Sequence, residues 1–277
     1  MKNPWQVTRE DILQDLRFKE VKIYPTVVEL QQAIAREMAD LIKEHNARGE
    51  MTRFILPVGP LDYKILAQIC REEKISCRNV VMFNMDELLT LEGELIPYNN
   101  PLSFRRYMDH EFYNLLPDEL NVLPENRVFP DPHDTGAMER KMEAVGGVDV
   151  CYGGFGIAGH FAYNEPVGEG ELGGRSYAEL PTRITRLTLE TVVQAAMCSD
   201  GDIDHMPRMA ITIGMKEILK ARTIHLCFMR TWHTVIARKA LYGPMTPACP
   251  ASYLQMHPNL RISMIEAVAA KPELIPG

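Results

Sequence analysis

Residues 148–166 read Val-Asp-Val-Cys-Tyr-Gly-Gly-Phe-Gly-Ile-Ala-Gly-His-Phe-Ala-Tyr-Asn-Glu-Pro. A short apolar run leads into four glycines that we expect to contact a substrate: Gly153, Gly154, Gly156 and Gly159. Glycine lets the backbone adopt positive φ angles and lets a ligand come close, and loops at strand ends often carry titratable site residues. The pattern predicts a strand that opens into an active-site loop, with His160 and Glu165 facing the same pocket.

The composition predicts one large globular domain. With 277 residues, of which 46% are hydrophobic, the chain can bury a sizeable core. Its 30 basic and 37 acidic residues give a net charge of −7, and the basic residues form no long run. Nucleic-acid binding is therefore disfavoured. An anionic substrate would need a local positive site built against the overall charge.

The six cysteines predict a protein of a reducing compartment. They lie at positions 70, 77, 151, 198, 227 and 249, and none forms a Cys-x-x-Cys pair. This spacing disfavours disulfides and a zinc site. The first residues lack the apolar core of a signal peptide, and no apolar run approaches the ~20 residues of a membrane span. We expect a cytoplasmic protein without membrane association.

Strand and helix patterns alternate along the chain. We expect residues 1–20 to form a helical N-terminal extension and residues 21–277 to form a single domain. Apolar runs predict strands at 21–25, 53–59, 80–85, 126–130, from 148, and at 207–214, 223–229 and 260–265. Helical patterns lie between them. The fold class predicted is α/β, a doubly wound, Rossmann-like and mostly parallel sheet with helices on both faces.

Two adjacent carboxylates, Asp86 and Glu87, follow the buried strand pattern of residues 80–85. Open parallel sheets bind ligands at the carboxyl ends of their strands, so the pair is a candidate for acid-base chemistry. Neighbouring residues of an extended chain point in opposite directions, so at most one should face a substrate. The alternative is an acidic pair at a helix N-terminus, where the helix dipole favours negative charge.

The sequence resembles a known family, the glucosamine-6-phosphate deaminases/isomerases, within the larger group that includes the 6-phosphogluconolactonases. The resemblance runs from about Val21 to the end. It rests on five ordered motifs: Phe83-Asn84-Met85-Asp86-Glu87, Asn100-Pro101-x-Ser103-Phe104, the glycine-rich stretch ending in Asn164-Glu165-Pro166, Pro207-x-x-Ala210-Ile211-Thr212-Ile213-Gly214, and Ser252-x-Leu254-Gln255-x-His257. The resemblance implies a Rossmann-like fold and carbohydrate chemistry.

The resemblance also implies roles for single residues. Asp86 would shuttle a proton between C1 and C2 of an open-chain sugar, His160 would assist ring opening, and Glu165 would orient the histidine. Glu87 and Asn164 would position these groups near the substrate. The chemistry is reasonable by itself, because a carboxylate can act as base and then as acid, and an imidazole titrates near neutrality. No metal or other cofactor is expected.

The sequence departs from the family pattern where the sugar phosphate would bind. Residues 56–59 run directly into Pro60, which has no amide to donate, and into Asp62, which would repel a phosphate. Gly59 is then the remaining substrate-binding residue of this loop. Arg230 and His233 stand where a phosphate-contacting lysine is expected, and either could substitute. Ala158 replaces the aspartate usual before Gly159.

These departures leave three functions open. The first is an amino-sugar-phosphate deaminase/isomerase with a rebuilt anion site, to which Arg183, Arg186 and Arg230 could contribute. The second is an isomerase or a hydrolase, lactonase included, acting on a different sugar, with or without a phosphate. The third is a non-catalytic sugar-binding module. The expected partner in each case is a small sugar or sugar phosphate, and the resemblance makes a homo-oligomer plausible.

Overall fold

The structure, a computed structural model, describes residues 3–59, 61–199 and 201–273. Within these residues the strands are β1 (Phe18–Tyr24), β2 (Thr52–Leu56), β3 (Val80–Asn84), β4 (Asp86–Leu89), β5 (Arg127–Val128), β6 (Val150–Gly153), β7 (Arg183–Arg186), β8 (Met209–Thr212), β9 (Thr223–Phe228) and β10 (Leu260–Ile265). The α-helices are α1 (Arg9–Leu13), α2 (Val27–Arg48), α3 (Tyr63–Glu72), α4 (Phe104–Glu111), α5 (Ala137–Ala144), α6 (Leu189–Met197), α7 (Met215–Ile218), α8 (His233–Tyr242) and α9 (Glu266–Ala269).

The main sheet is parallel, with its seven strands in the order β1-β10-β9-β6-β2-β3-β5. Every residue of β3 and of β9 is buried. Because successive side chains of a strand point to opposite faces, complete burial means that both faces of the sheet are covered. The predicted doubly wound α/β fold is confirmed.

Local signals explain where α2 begins and ends. Thr26 accepts a hydrogen bond from Glu29 N, which satisfies one of the free amides of the first turn. Gly49 follows the last turn with a φ of +68°, a conformation that glycine adopts without strain. The threonine cap and the following glycine therefore set the two ends of α2.

A second sheet is antiparallel and has three strands in the order β4-β8-β7. The strand predicted at 207–214 exists as β8, but it lies in this sheet and not in the main one. Met85 forms the corner between the sheets, because its amide donates to Leu56 O and its carbonyl accepts from Ile213 N. The acidic pair that follows Met85 therefore begins a strand and not a helix.

The N-terminal segment packs on the domain. Strand β1 begins at Phe18, so three residues of the predicted extension belong to the sheet. Val7 is fully buried, and its carbonyl accepts a hydrogen bond from Arg238 Nε at 2.9 Å. Met1 and Lys2 lie outside the described residues, and the division at residue 20 stays a prediction. No helix in the described ranges has the length and apolar composition needed to cross a membrane.

Candidate active site

The carboxyl ends of β2, β3, β6 and β9 meet at one edge of the main sheet, and a cavity of about 460 Å³ opens there. This is the edge at which open α/β sheets bind ligands. Seven of the predicted site residues line it: Gly59, Asp86, Gly154, Gly156, His160, Arg230 and His233. The other five do not line it: Glu87, Gly153, Gly159, Asn164 and Glu165.

The loop after β6 holds His160 by means of two glycines. A Cβ atom on Gly156 would lie 1.8 Å from His160 Nε2, so a larger residue would displace the imidazole. Gly159 has a φ of +90°, a conformation that residues with a side chain rarely adopt. The Gly156 amide donates to the His160 carbonyl at 2.9 Å and closes the loop. These glycines therefore bring the imidazole to the end of β6.

Asp86 is the carboxyl group that faces the cavity. Its side chain is buried, and its Oδ1 accepts a hydrogen bond from Tyr163 N at 3.1 Å. Thr212, which is opposite Asp86 in the β4–β8 register, provides a second hydrogen bond. Burial raises the pKa of Asp86 to about 7 in spite of these two bonds, which lower it. Asp86 therefore changes its protonation state near neutral pH, as a residue that takes and returns a proton should.

Glu87 points away from the cavity. Its fully buried carboxylate accepts hydrogen bonds from Phe104 N and Arg105 N, both at 3.0 Å, and from Arg105 Nε at 2.9 Å. Ser103 Oγ donates to it as well, at 3.2 Å. The carboxylate thus caps the N-terminus of α4, where the free amides and the helix dipole favour negative charge. Glu87 positions α4 and does not contact the cavity in this structure.

His160 and Glu165 are neighbours without a direct hydrogen bond. His160 Nδ1 lies 3.6 Å from Glu165 Oε2, which is too long for one, and 3.1 Å from Thr191 Oγ1. Glu165 Oε2 accepts from Thr188 Oγ1 at 3.0 Å. Its other oxygen is buried and has no hydrogen-bond partner among the described residues. Two threonine hydroxyls therefore lie between the carboxylate and the imidazole.

Asn164 ties the loop to the small sheet. Its Nδ2 donates to Phe161 O and to Ile213 O, both at 2.9 Å, and its Oδ1 accepts from Arg183 Nη1 at 2.8 Å. Arg183 also donates to Tyr177 Oη at 3.0 Å. These contacts occupy the amide of Asn164 and most of the guanidinium of Arg183. Both residues therefore stabilise the loop. Because Arg183 is engaged in these contacts, the structure does not support its predicted contribution to an anion site.

His233 lies in the cavity wall as a neutral side chain. Its Nδ1 accepts hydrogen bonds from Met229 N at 3.1 Å and from Arg230 N at 3.2 Å, so its Nε2 donates to Phe155 O at 3.1 Å. Burial, with the nearby charge of Arg230, lowers the pKa of His233 to about 3. His233 thus joins the loops after β6 and β9 and offers no positive charge to an anion.

The cavity lining has little positive charge. Arg230 is the only lysine or arginine lining it within the described ranges, and its guanidinium lies 5.9 Å from the centre of the Trp232 ring. Asp62 caps α3 by accepting from Lys64 N at 3.1 Å and Ile65 N at 3.4 Å. A carboxylate of the chain therefore occupies a helix N-terminus that would otherwise attract an anion. Pro60, which we expected to weaken phosphate binding, lies outside the described residues.

Sequence reasoning missed three polar residues of this region. Thr191 and Thr212 reach His160 and Asp86 through their hydroxyl groups, and Gln194 lines the cavity while its Oε1 accepts from Ile157 N at 2.7 Å. Thr191 follows the helix cap Thr188 by three residues, which indicates a helix start and not a catalytic contact. Only the antiparallel pairing of β4 with β8 places Thr212 opposite Asp86.

Comparisons with curated proteins place the whole chain in one family. It is 30% identical over 255 residues to a glucosamine-6-phosphate deaminase of Parabacteroides distasonis, covering 90% of this chain and 89% of that protein. It is 32% identical over 219 residues to one of Porphyromonas gingivalis, covering 78% of this chain and 77% of the relative. No family model matches the sequence.

Solved structures give the same result. A monomeric glucosamine-6-phosphate deaminase superposes with a TM-score of 0.77 and 26% identity, covering 91% of this chain and all of the other. A 6-phosphogluconolactonase from Trypanosoma cruzi superposes with a TM-score of 0.64 at 14% identity, covering 90% and 95% of the two chains, which shows a shared fold alone. The family predicted from the five motifs is confirmed: the chain belongs to the glucosamine-6-phosphate deaminase family.

Proposed function

We propose that the chain converts an amino sugar phosphate, glucosamine 6-phosphate or a close analogue, into the corresponding ketose with release of ammonia. The observation that carries the proposal is Asp86, a buried carboxyl group with a pKa of about 7 in the same cavity as His160. The names of the relatives and of the monomeric structural neighbour support the same chemistry.

The proposed reaction begins with opening of the sugar ring, in which His160 moves a proton between the ring oxygen and the C1 hydroxyl. The Asp86 carboxylate then removes the proton from C2, the C–H electron pair forms a C1=C2 double bond, and the C1=O π pair moves to O1. A proton from the ammonium group at C2 neutralises O1, which gives an enolamine. Asp86 returns the proton to C1, which leaves a C=N bond at C2. Water adds to C2 and ammonia leaves, so the balance is amino sugar plus water to ketose plus ammonia. In this sense the enzyme is a hydrolase.

The direct test supplies glucosamine 6-phosphate and unphosphorylated glucosamine to the purified protein and measures ammonia and ketose. We expect equal amounts of both products from the phosphorylated sugar. No ammonia from either amino sugar, with ketose formed from glucose 6-phosphate in a parallel assay, would replace the deaminase with an isomerase. Saturable sugar binding with no product, unaffected by replacing Asp86, would make the chain a sugar-binding module.

A second candidate, deamination or isomerisation of a sugar without the 6-phosphate, is favoured by the scarcity of positive charge in the cavity lining. A phosphate dianion needs several charged or hydrogen-bonding partners to offset its loss of water. Here Arg230 is the one arginine or lysine in the described lining, and Asp62 occupies the N-terminus of α3. A higher kcat/KM for glucosamine than for glucosamine 6-phosphate would select this candidate. Hydrolysis of 6-phosphogluconolactone in a parallel assay would select a lactonase.

Self-association and a cytoplasmic location, both expected from the sequence, stay predictions. Size-exclusion chromatography with light scattering measures the first directly. A mass of about 31.5 kDa per particle would mean a monomer. A multiple of that mass would mean the homo-oligomer predicted from the sequence.

Replacing Gly156 by alanine should lower kcat by about 10²-fold. The added Cβ would lie 1.8 Å from His160 Nε2, so the imidazole must move by more than an ångström, and displacements of that size cost about this much. Gly170→Ala is the matched control, because its Cβ meets no atom within 4 Å and its φ is not positive. Equal kcat values for the two variants in the ammonia assay would contradict a role for the His160 position.

A further inference from the structure

His160 and Glu165 are close enough for an ion pair when the histidine is protonated, but they form no direct hydrogen bond. His160 Nδ1 and Glu165 Oε2 are 3.6 Å apart, and both side chains are almost completely buried. Ala158 offers no polar side chain in the same loop. The protonated nitrogen of a catalytic histidine is set by the partner of its other nitrogen. The partner that Nδ1 does have is the Thr191 hydroxyl, 3.1 Å away.

A continuous row of polar atoms joins the two residues. His160 Nδ1 lies 3.1 Å from Thr191 Oγ1, the Thr191 and Thr188 hydroxyl oxygens lie 3.1 Å apart, and Thr188 Oγ1 lies 3.0 Å from Glu165 Oε2. The contacts of His160 with Thr191 and of Thr188 with Glu165 are within the normal range of a hydrogen bond, and the contact between the two hydroxyl oxygens is slightly longer than usual. Thr191 is only 1% exposed, so bulk water cannot replace its hydroxyl in the row.

The ionised carboxylate sets the direction of the three bonds. Glu165 as a carboxylate only accepts, so the Thr188 hydroxyl donates to it. The Thr188 oxygen then accepts from the Thr191 hydroxyl, because otherwise two lone pairs would face each other. By the same argument the Thr191 oxygen accepts from His160 Nδ1–H. The imidazole is thereby held with its proton on Nδ1 and with the Nε2 lone pair free.

The unprotonated nitrogen, Nε2, is on the cavity side of the imidazole ring. His160 Nε2 is next to Gly156, which lines the cavity. Asp86, which lines the same cavity, interacts electrostatically with His160. An unprotonated Nε2 can accept a proton from a bound sugar at the start of ring opening. The positive charge that then forms on the ring is balanced by the nearby Glu165 carboxylate, whose Oε2 is 3.6 Å from Nδ1.

We propose that Thr191 and Thr188 are positioning residues that link Glu165 to His160 through their hydroxyl groups and hold the imidazole as the Nδ1–H tautomer. The effect on turnover rests on the proposed deaminase function. The effect on the tautomer does not, because it is a property of the protein without substrate.

Thr191→Val tests this link, because valine keeps the shape of threonine and lacks the hydroxyl. Thr191→Ser restores the hydroxyl, and Thr182→Val is the matched control, since Thr182 is buried and its hydroxyl has no partner among the described residues. Nitrogen-15 NMR of histidine-labelled protein reports the tautomer, with the His160 signals assigned by their loss in His160→Gln. Circular dichroism confirms that each variant is folded.

We expect wild type, Thr191→Ser and Thr182→Val to show the pure Nδ1–H tautomer, and Thr191→Val to show a mixture. In the ammonia assay kcat should fall by about 10 to 10²-fold in Thr191→Val with KM nearly unchanged, and should recover in Thr191→Ser. A pure Nδ1–H tautomer in Thr191→Val would overturn the proposal. The predicted tautomers in a wild type without turnover would support the link and reject the proposed function alone.

Discussion

Asp86→Asn should lower kcat by about 10³-fold or more while the protein stays folded. The asparagine keeps an oxygen that can accept from Tyr163 N, but it can neither take a proton from C2 nor return one to C1. General acid-base groups contribute 10² to 10⁴-fold, and this residue would serve in both directions. The measurement is ammonia release by the variant and by wild type at the same pH.

The pH dependence of turnover and of folding stability provides a second, separate test of the protonation of Asp86. Its pKa is about 7 in the folded protein, and the base must be ionised, so kcat/KM should fall about tenfold per pH unit below 7. The folding stability changes with pH in the opposite direction to the activity. Between about pH 4 and 7 the folded state keeps a proton that the unfolded state has lost, so wild type becomes less stable as the pH rises.

The asparagine has no proton to lose, so its stability lacks this dependence. Asp86→Asn should therefore be more stable than wild type above pH 7, and the difference should close as the pH falls towards 4. Urea denaturation at pH 8 and at pH 5 measures it without any substrate. Turnover by Asp86→Asn within tenfold of wild type would reject Asp86 as the proton shuttle, whatever its pKa.

The elements that position this site could be predicted where the signal is local. A threonine cap and a following glycine bounded α2, and the nearly continuous apolar run of β3 indicated a strand covered on both faces. The second sheet could not be predicted in this way. Strand β4 begins with two carboxylates, and its antiparallel pairing with β8 depends on contacts between residues more than 100 positions apart.

The site residues likewise fall into those that have a local sequence signal and those that do not. Asp86 and His160 followed from motifs at strand ends, and the cavity contains both. His233 was expected to bind an anion, but its two nitrogens are engaged by backbone groups of the loops after β6 and β9, which no sequence pattern reveals. Thr191 reaches His160 across 31 positions. A residue that acts through a second side chain has no recognisable sequence pattern, because the two residues become neighbours only in the folded structure.

Glu87→Gln should destabilise the folded protein by about 3–5 kcal/mol. The carboxylate is fully buried and accepts from two backbone amides of α4, from Ser103 and from Arg105, so the neutral amide leaves the guanidinium of Arg105 without its charged partner. Removing one member of a buried ion pair typically costs this much. The measurement is the free energy of unfolding in urea at pH 8.

Two control variants separate the effect of burial on stability from the effect of the carboxylate on turnover. Glu94→Gln makes the same change in a carboxylate that is 59% exposed and paired with the exposed His133, so it should cost less than about 1 kcal/mol. Asp86→Asn, one residue earlier, should raise the stability at pH 8, because that carboxylate is buried with too few partners and Glu87 with enough. Glu87→Gln should in turn keep kcat within about tenfold of wild type wherever it is folded, since its carboxylate does not reach the cavity. If Glu87→Gln instead lost turnover without losing stability, the roles of the two carboxylates would have to be exchanged.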